Sequence, residues 1–217
     1  MALIRSVFQD ELDNVSQSLV DLTTMVSTSV VKASKALQTA DLNLAEEVIA
    51  TDIKIDDYQH DLDARIIDII ARQQPVASDL RALVTALRMS ADLERMGDLS
   101  HHIAKVARLR HPSSAIPADL LLAFTEMGHV AEKLATKVAT VITTRDTEMA
   151  LQVEKDDDEM DELHKKVISG ILGSNPVLSL DVAIDLTLLG RYYERFADHA
   201  VSVARRVYFL VKGEFAS

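Results

Sequence analysis

Apolar residues recur at seven-residue intervals along much of this chain. Val48, Ile55, Leu62 and Ile69 form one seam; Val153, Met160 and Val167 form a second; Leu189, Phe196, Val203 and Leu210 form a third. Seams of that period suit antiparallel helices packed at shallow angles. Turn signals cut the pattern into six helices, expected roughly over 3–39, 42–72, 78–110, 118–144, 147–172 and 179–212. "TADLN" and "TTRDT" break the first helix of each half from the second, while "RQQPVASD" and "GSNPVLSLD" break the second from the third. Ser78 and Ser179 stand where N-caps for the third helices are expected. "RHPSSAIPAD", with two prolines, reads as a linker.

The halves are copies. "ADLNLAEEVIATDIKIDDY" (40–58) aligns with "RDTEMALQVEKDDDEMDEL" (145–163), placing Asp41 on Asp146, Ala45 on Ala150, Val48 on Val153, Asp52 on Asp157 and Asp56 on Asp161. Further on, "ADLERMGDLSHH" (91–102) and "RYYERFADHAVS" (191–202) each contain Glu-Arg-x-x-Asp, one hundred positions apart. The chain is therefore expected to be all-α, two tandem three-helix bundles related by internal duplication, residues 1–112 and 113–217.

Composition narrows the function. The 217 residues carry a formal net charge of −11, which argues against a basic nucleic-acid footprint. The absence of cysteine excludes disulfides and thiolate metal sites, so any metal must accept carboxylate and imidazole ligands. The opening "MALIRSVFQDELDN" turns acidic before any long apolar stretch, and no run approaches the roughly 18 apolar residues of a membrane span. A soluble cytoplasmic protein is the expectation.

At about 100° per residue, Glu94, Asp98 and His102 share a stripe roughly 80° wide, opposite Met89, Leu93, Met96 and Ile103. Asp52, Asp56 and His60 form a matching stripe on the preceding helix. If these helices run antiparallel through the turn near Pro75, then Asp52 faces His102, Asp56 faces Asp98, and His60 faces Glu94. The second half offers Asp157, Asp161, Glu194 and Asp198, with Lys165 and Ser202 where the first has His60 and His102; its facing symmetry is poorer, and an all-oxygen site flanked by lysine is expected. Like charges at i, i+4 repel by a few tenths of a kcal/mol per pair, and a multivalent cation reverses that sign. Two readings stand side by side: solvated acidic faces paired to Arg95 and Arg195, or metal sites for Mg²⁺, Mn²⁺, iron or Zn²⁺. His101, His111, His129, His164 and His199 show no second ligand at metal spacing and read as exposed helix histidines. No glycine-rich phosphate loop is present, so direct phosphate sensing is not an expectation.

Five ordered stretches carry a family resemblance: "FQDEL", "DLNLAEEVIATDIKID", "RQQPVASDLR", "DLERMGDLSHHIAKVA" and "GRYYERFADHAVSVARRVYFLVKGE". Together they span essentially the whole chain, and it resembles the PhoU family of phosphate-uptake regulators. The resemblance implies metal binding through the acidic motifs, at Asp52, Asp56, Glu94, Asp98, Asp157, Asp161, Glu194 and Asp198. It implies no catalysis. It also implies an adaptor between the cytoplasmic components of a phosphate ABC transporter and a sensor histidine kinase, repressing phosphate uptake and the starvation response, and working as a homodimer. One departure is local: the family usually has Asn four residues after each motif Asp, where this chain has His102, a further possible ligand, and Ser202, a weaker one. A carboxylate-bridged enzyme of ferritin-like type, or a metal-free helical scaffold, are the alternatives. The first would need Glu-x-x-His pairs, which the motifs lack.

Overall fold

The computed structural model describes residues 2–174 and 177–214; Asn175 and Pro176, part of the expected break before the last helix, lie outside the described residues. Six helices follow in order: α1 (Ala2–Thr39), α2 (Leu42–Gln73), α3 (Ala77–Arg110), α4 (Ala118–Thr144), α5 (Thr147–Leu172) and α6 (Leu180–Lys212). The all-α expectation holds, with boundaries within a residue or two of those read from turn signals.

The seven-residue seams form the interior. Val48, Ile55, Leu62 and Ile69 are each 2% exposed or less, and Val153, Met160, Val167, Leu189, Phe196 and Val203 are fully buried. Leu210 is partly buried against the same core. Among the described residues, α2 packs only on α1 and α3, and α5 only on α4 and α6. The α1–α4, α3–α6 and α4–α6 contacts join the halves, so the buried residues form one continuous apolar core. Burying a large aliphatic side chain contributes about 1.5–3 kcal/mol, and this shared core is what holds the grooves described below in place.

Local chemistry is duplicated with the sequence. Ala40 and Arg145 both take left-handed backbone (φ 51° and 55°), and each is followed by an aspartate that caps the next helix. Asp41 accepts from the Leu44 N–H, and Asp146 accepts from the N–H groups of Glu148 and Met149. The serine caps do not form as expected. α3 starts at Ala77 with Val76 in the cap position, so Ser78 falls inside the first turn and its hydroxyl donates to Asp79 at 3.3 Å. Ser179 does occupy the cap position of α6, but without a side-chain cap bond.

Candidate metal centre

α2 and α3 run antiparallel, and three close approaches set their register. Ser90 donates to Asp63 at 2.5 Å, a Cβ on Gly97 would stand 3.0 Å from Ile55 Cγ2, and the His101 ring bonds the Asp52 carboxylate. In this register Asp52, Asp56 and Asp98 converge, with one oxygen from each lying within 4.8 Å of the others. Asp56 opposite Asp98 is the pairing expected from the spacing. The partner of Asp52 is not: it is His101, while His102 lies one residue further round α3, outside the converging set. The reason is a half-residue difference in where the helices fold back. His60 turns its Nδ1 to the Asp56 carbonyl at 2.8 Å and sits beside the Asp56 carboxyl.

The electrostatics of this cluster are those of crowded anions. Burial, then Asp52 and Asp98, push the Asp56 carboxyl above its ordinary value, with His60 opposing. Burial and Asp98 do the same to Glu94, helped by Asp56 and Asp52, while Arg95 opposes them. Arg95 lies 2.6 Å from Asp98 and 3.4 Å from Glu94, but it is 60% exposed and therefore well screened. Asp52 Oδ1, Asp56 Oδ1 and His101 Nε2 are buried without a hydrogen-bond partner. Buried polar atoms are rarely left unpaired, and here the orphaned atoms are all oxygen or imidazole nitrogen, the donor set of a hard or borderline cation.

The second half repeats the arrangement between α5 and α6. Three successive aspartates divide their directions: Asp156 turns inward to Lys133 and Lys137 of α4, Asp157 enters the α5–α6 groove, and Asp158 faces solvent. Burial and the charges of Asp161, Asp198 and Glu194 raise the Asp157 carboxyl to about 6, and its Oδ1 is buried and unpartnered. Burial and Asp198 also raise Glu194, against Arg191 and His164. Asp161 and Asp198 are exposed, so this cluster is more open on its outer side. The four expected carboxylates act on one another through their charges, but among the described residues they do not converge as Asp52, Asp56 and Asp98 do, in keeping with the poorer facing symmetry expected of this half. Lys165 flanks the cluster as expected, pairing with Glu162 at 2.8 Å and feeling the charge of Asp161, and His164 is a second base, acting on Glu194.

The two positions that follow the motifs serve the junction between halves. The His102 ring stacks on Tyr192 of α6, with centroids 5.2 Å apart. Burial, with His101 and Lys105 nearby, holds its imidazole below the ordinary value. Ser202 is no ligand to the second cluster, because its hydroxyl donates to Asp92 of α3 at 2.9 Å. His199 and Arg206 also bond Asp92, at 3.0 and 2.9 Å. Burial alone would raise the Asp92 carboxyl, but these three hydrogen bonds outweigh it and hold it below the usual range. Of the histidines read as exposed helix positions, His129 is one, and His111 is exposed at the end of α3. His101, His164 and His199 are part-buried and engaged.

The PhoU domain family model matches twice, over residues 19–107 and 124–207. The chain belongs to the PhoU family. Among its PhoU relatives, a phosphate-specific transport system accessory protein PhoU homolog 2 from Mycobacterium tuberculosis is 41% identical over 98% of this chain and 100% of its own length. A PhoU homolog from Rhizobium meliloti is 29% identical over 98% of this chain and 90% of its own. The crystal structure of PhoU from Pseudomonas aeruginosa superposes with a TM-score of 0.84 at 26% identity, covering 95% of this chain and 100% of that one. The phosphate transport system regulatory protein PhoU from Streptococcus pneumoniae gives the same TM-score at 25% identity, covering 97% and 99%. The PhoU fold thus accounts for the six-helix architecture.

Proposed function

We propose that this protein is a cation-binding accessory protein of a phosphate transport system. It bridges the transporter's cytoplasmic components and a sensor histidine kinase, and it restrains phosphate uptake and the starvation response when phosphate is plentiful. Family membership and the names of its relatives, accessory and regulatory proteins of phosphate transport, support the transport assignment. The cation assignment is carried by one observation: each repeat gathers four mutually repelling carboxylates around buried, unpartnered oxygens.

The residues fit a hard or borderline ion. Asp52, Asp56, Asp98, Glu94 and His101 would hold it in the first groove, and Asp157, Asp161, Glu194 and Asp198 in the second. An ion there supplies positive charge and ties α2 to α3 and α5 to α6. His101 gives the first groove a nitrogen donor, which suits Zn²⁺ or Fe²⁺ beside Mg²⁺ and Mn²⁺, whereas the second is all-oxygen. Both clusters lie in grooves between two helices rather than at the centre of four inward-facing ones, which favours a structural, non-catalytic ion over ferritin-like chemistry. Among the described residues no helix is long and apolar enough to cross a membrane, so contact with a transporter would run through its non-membrane parts.

Two measurements test this. Elemental analysis of protein purified without chelator should find bound metal that the double variants Asp52→Asn/Asp56→Asn and Asp157→Asn/Glu194→Gln lose from one groove each. Deletion of the gene in the source cell should raise alkaline phosphatase and transporter expression at high phosphate; unchanged expression, with any second copy also deleted, would remove the regulatory role.

A further inference from the structure

α3 and α6 cross antiparallel, and one side of the crossing is an open cleft of about 410 Å³. The arginine of Glu-Arg-x-x-Asp reaches it from both repeats, Arg95 from α3 and Arg195 from α6, and Arg191 joins them. The stacked pair His102 and Tyr192 also lines it, and Asp98 is its one acidic lining residue. That carboxylate is already engaged by Arg95 and by the first acidic cluster. Arg191 bonds Glu194. Arg195 is exposed and has no hydrogen-bond or ion-pair partner among the described residues. Other surface arginines, Arg108 among them, are also without a carboxylate partner; what distinguishes Arg195 is that it lines one cleft together with Arg95 and Arg191.

We propose that this cleft binds a tetrahedral oxyanion of the phosphate class, held between the two repeats by Arg195 and Arg95 with Arg191 in support. Guanidinium groups present paired N–H donors that match the oxygens of phosphate, and two of them converging from different helices favour a multiply charged anion over a single carboxylate. The Tyr192–His102 stack forms one wall of the cleft. The sequence carries no phosphate loop; this cleft recognises an anion by side chains instead. An anion bound there would clamp α3 against α6. The proposal does not depend on cations in the acidic grooves, although a cation on Asp98 and Glu94 would free Arg95 for the cleft.

The test is isothermal titration of the full chain at low ionic strength with inorganic phosphate, sulfate and malonate, once in chelator and once in Mg²⁺. Expected are saturable 1:1 binding of phosphate and sulfate in at least one buffer, with malonate at least tenfold weaker. Arg195→Ala should weaken phosphate at least tenfold, Arg195→Lys by less, and Arg95→Ala/Arg195→Ala should abolish it. Arg108→Ala, an exposed α3 arginine outside the cleft, should change it less than twofold. Absence of saturable binding in both buffers, equal affinity for malonate, or an equal loss in Arg108→Ala would each overturn the assignment. The chelator arm keeps its failure separate from any failure of the cation reading.

Discussion

Tyr192 stacks on His102, whereas the residues one hundred positions from each, Asp92 and Ser202, are joined by a hydrogen bond of 2.9 Å. The duplicated helices α3 and α6 therefore meet at equivalent positions with different chemistry. On one side an aspartate gathers three donors; on the other an aromatic pair borders an open basic cleft. Duplication supplied the frame, and divergence made its two faces unlike.

The Asp92 junction should be a principal polar tie between the halves. Its side chain is 14% exposed and Arg206 is 23% exposed, so removing the acid strands a half-buried guanidinium. Asp92→Ala is expected to cost about 2–4 kcal/mol, lowering the melting temperature by roughly 5–12 °C. Because the folded Asp92 carboxyl titrates below its unfolded value, its contribution is present above the ordinary carboxylate range and fades as pH falls through the folded value. Melting curves of wild type and Asp92→Ala should thus converge below about pH 4. A gap that persisted or widened in acid would show that packing, not the charge network, was lost.

Asp157 gives the opposite dependence. Its folded carboxyl is raised to about 6, so the native state holds the proton more tightly than the unfolded chain does. The stabilisation is full below the unfolded value near 4 and is lost as pH rises through about 6. Protein in chelator should therefore melt higher at pH 5 than at pH 7, by an amount of the order of 1 kcal/mol after screening by solvent. Saturating cation should reverse the slope, because ions and protons compete for the same oxygens. Differential scanning calorimetry across that range checks both signs.

Asp157→Asn separates the same two effects by substitution. Without metal, removing one of four repelling charges should raise stability by about 0.5–1 kcal/mol and flatten the slope between pH 5 and 7. With metal, the variant should gain less than wild type from added cation, since ligand-induced stabilisation follows affinity for the native state. A variant less stable than wild type in chelator would mean that the acidic groove is not strained when empty of cations.

The helices and their seams were legible because apolar period and turn residues are local signals. Val48, Ile55, Leu62 and Ile69 needed no partner helix to be read as a buried stripe. The carboxylates of the first groove were equally legible, because i, i+4 spacing fixes the face they share. His101 was not. It differs from His102 by one residue, and choosing between them requires the antiparallel register, which depends on how α2 ends at Gln74 and α3 restarts at Ala77, both with left-handed backbone. His164 beside Glu194 was hidden by the same kind of uncertainty. The Asp92 junction and the arginine cleft were beyond the sequence altogether, since each exists only where α3 meets α6, across about a hundred residues of chain.

Gly97 tests whether helix proximity sets the first groove. A Cβ there would meet Ile55 Cγ2 at 3.0 Å and Cδ1 at 3.2 Å, and Ile55 is 1% exposed with little room to yield. Gly97→Ala gains about 1 kcal/mol of helix propensity but sets against it about 1–3 kcal/mol of overpacking, so the net should be a loss of about 0–2 kcal/mol, not enough to unfold the domain. The relief open to the molecule is for α2 to move off α3, which separates Asp52 and Asp56 from Asp98. If each groove holds one cation, as proposed above, stoichiometry should fall from two per chain toward one, with the loss confined to the first groove. Gly128→Ala is the control, because its Cβ would press on Ser34 of α1 at 3.0 Å, at the α1–α4 contact rather than in either acidic groove. That variant should keep both cations. If the two behave alike in a calorimetric Mn²⁺ titration, close approach of α2 and α3 is not what brings the three aspartates together.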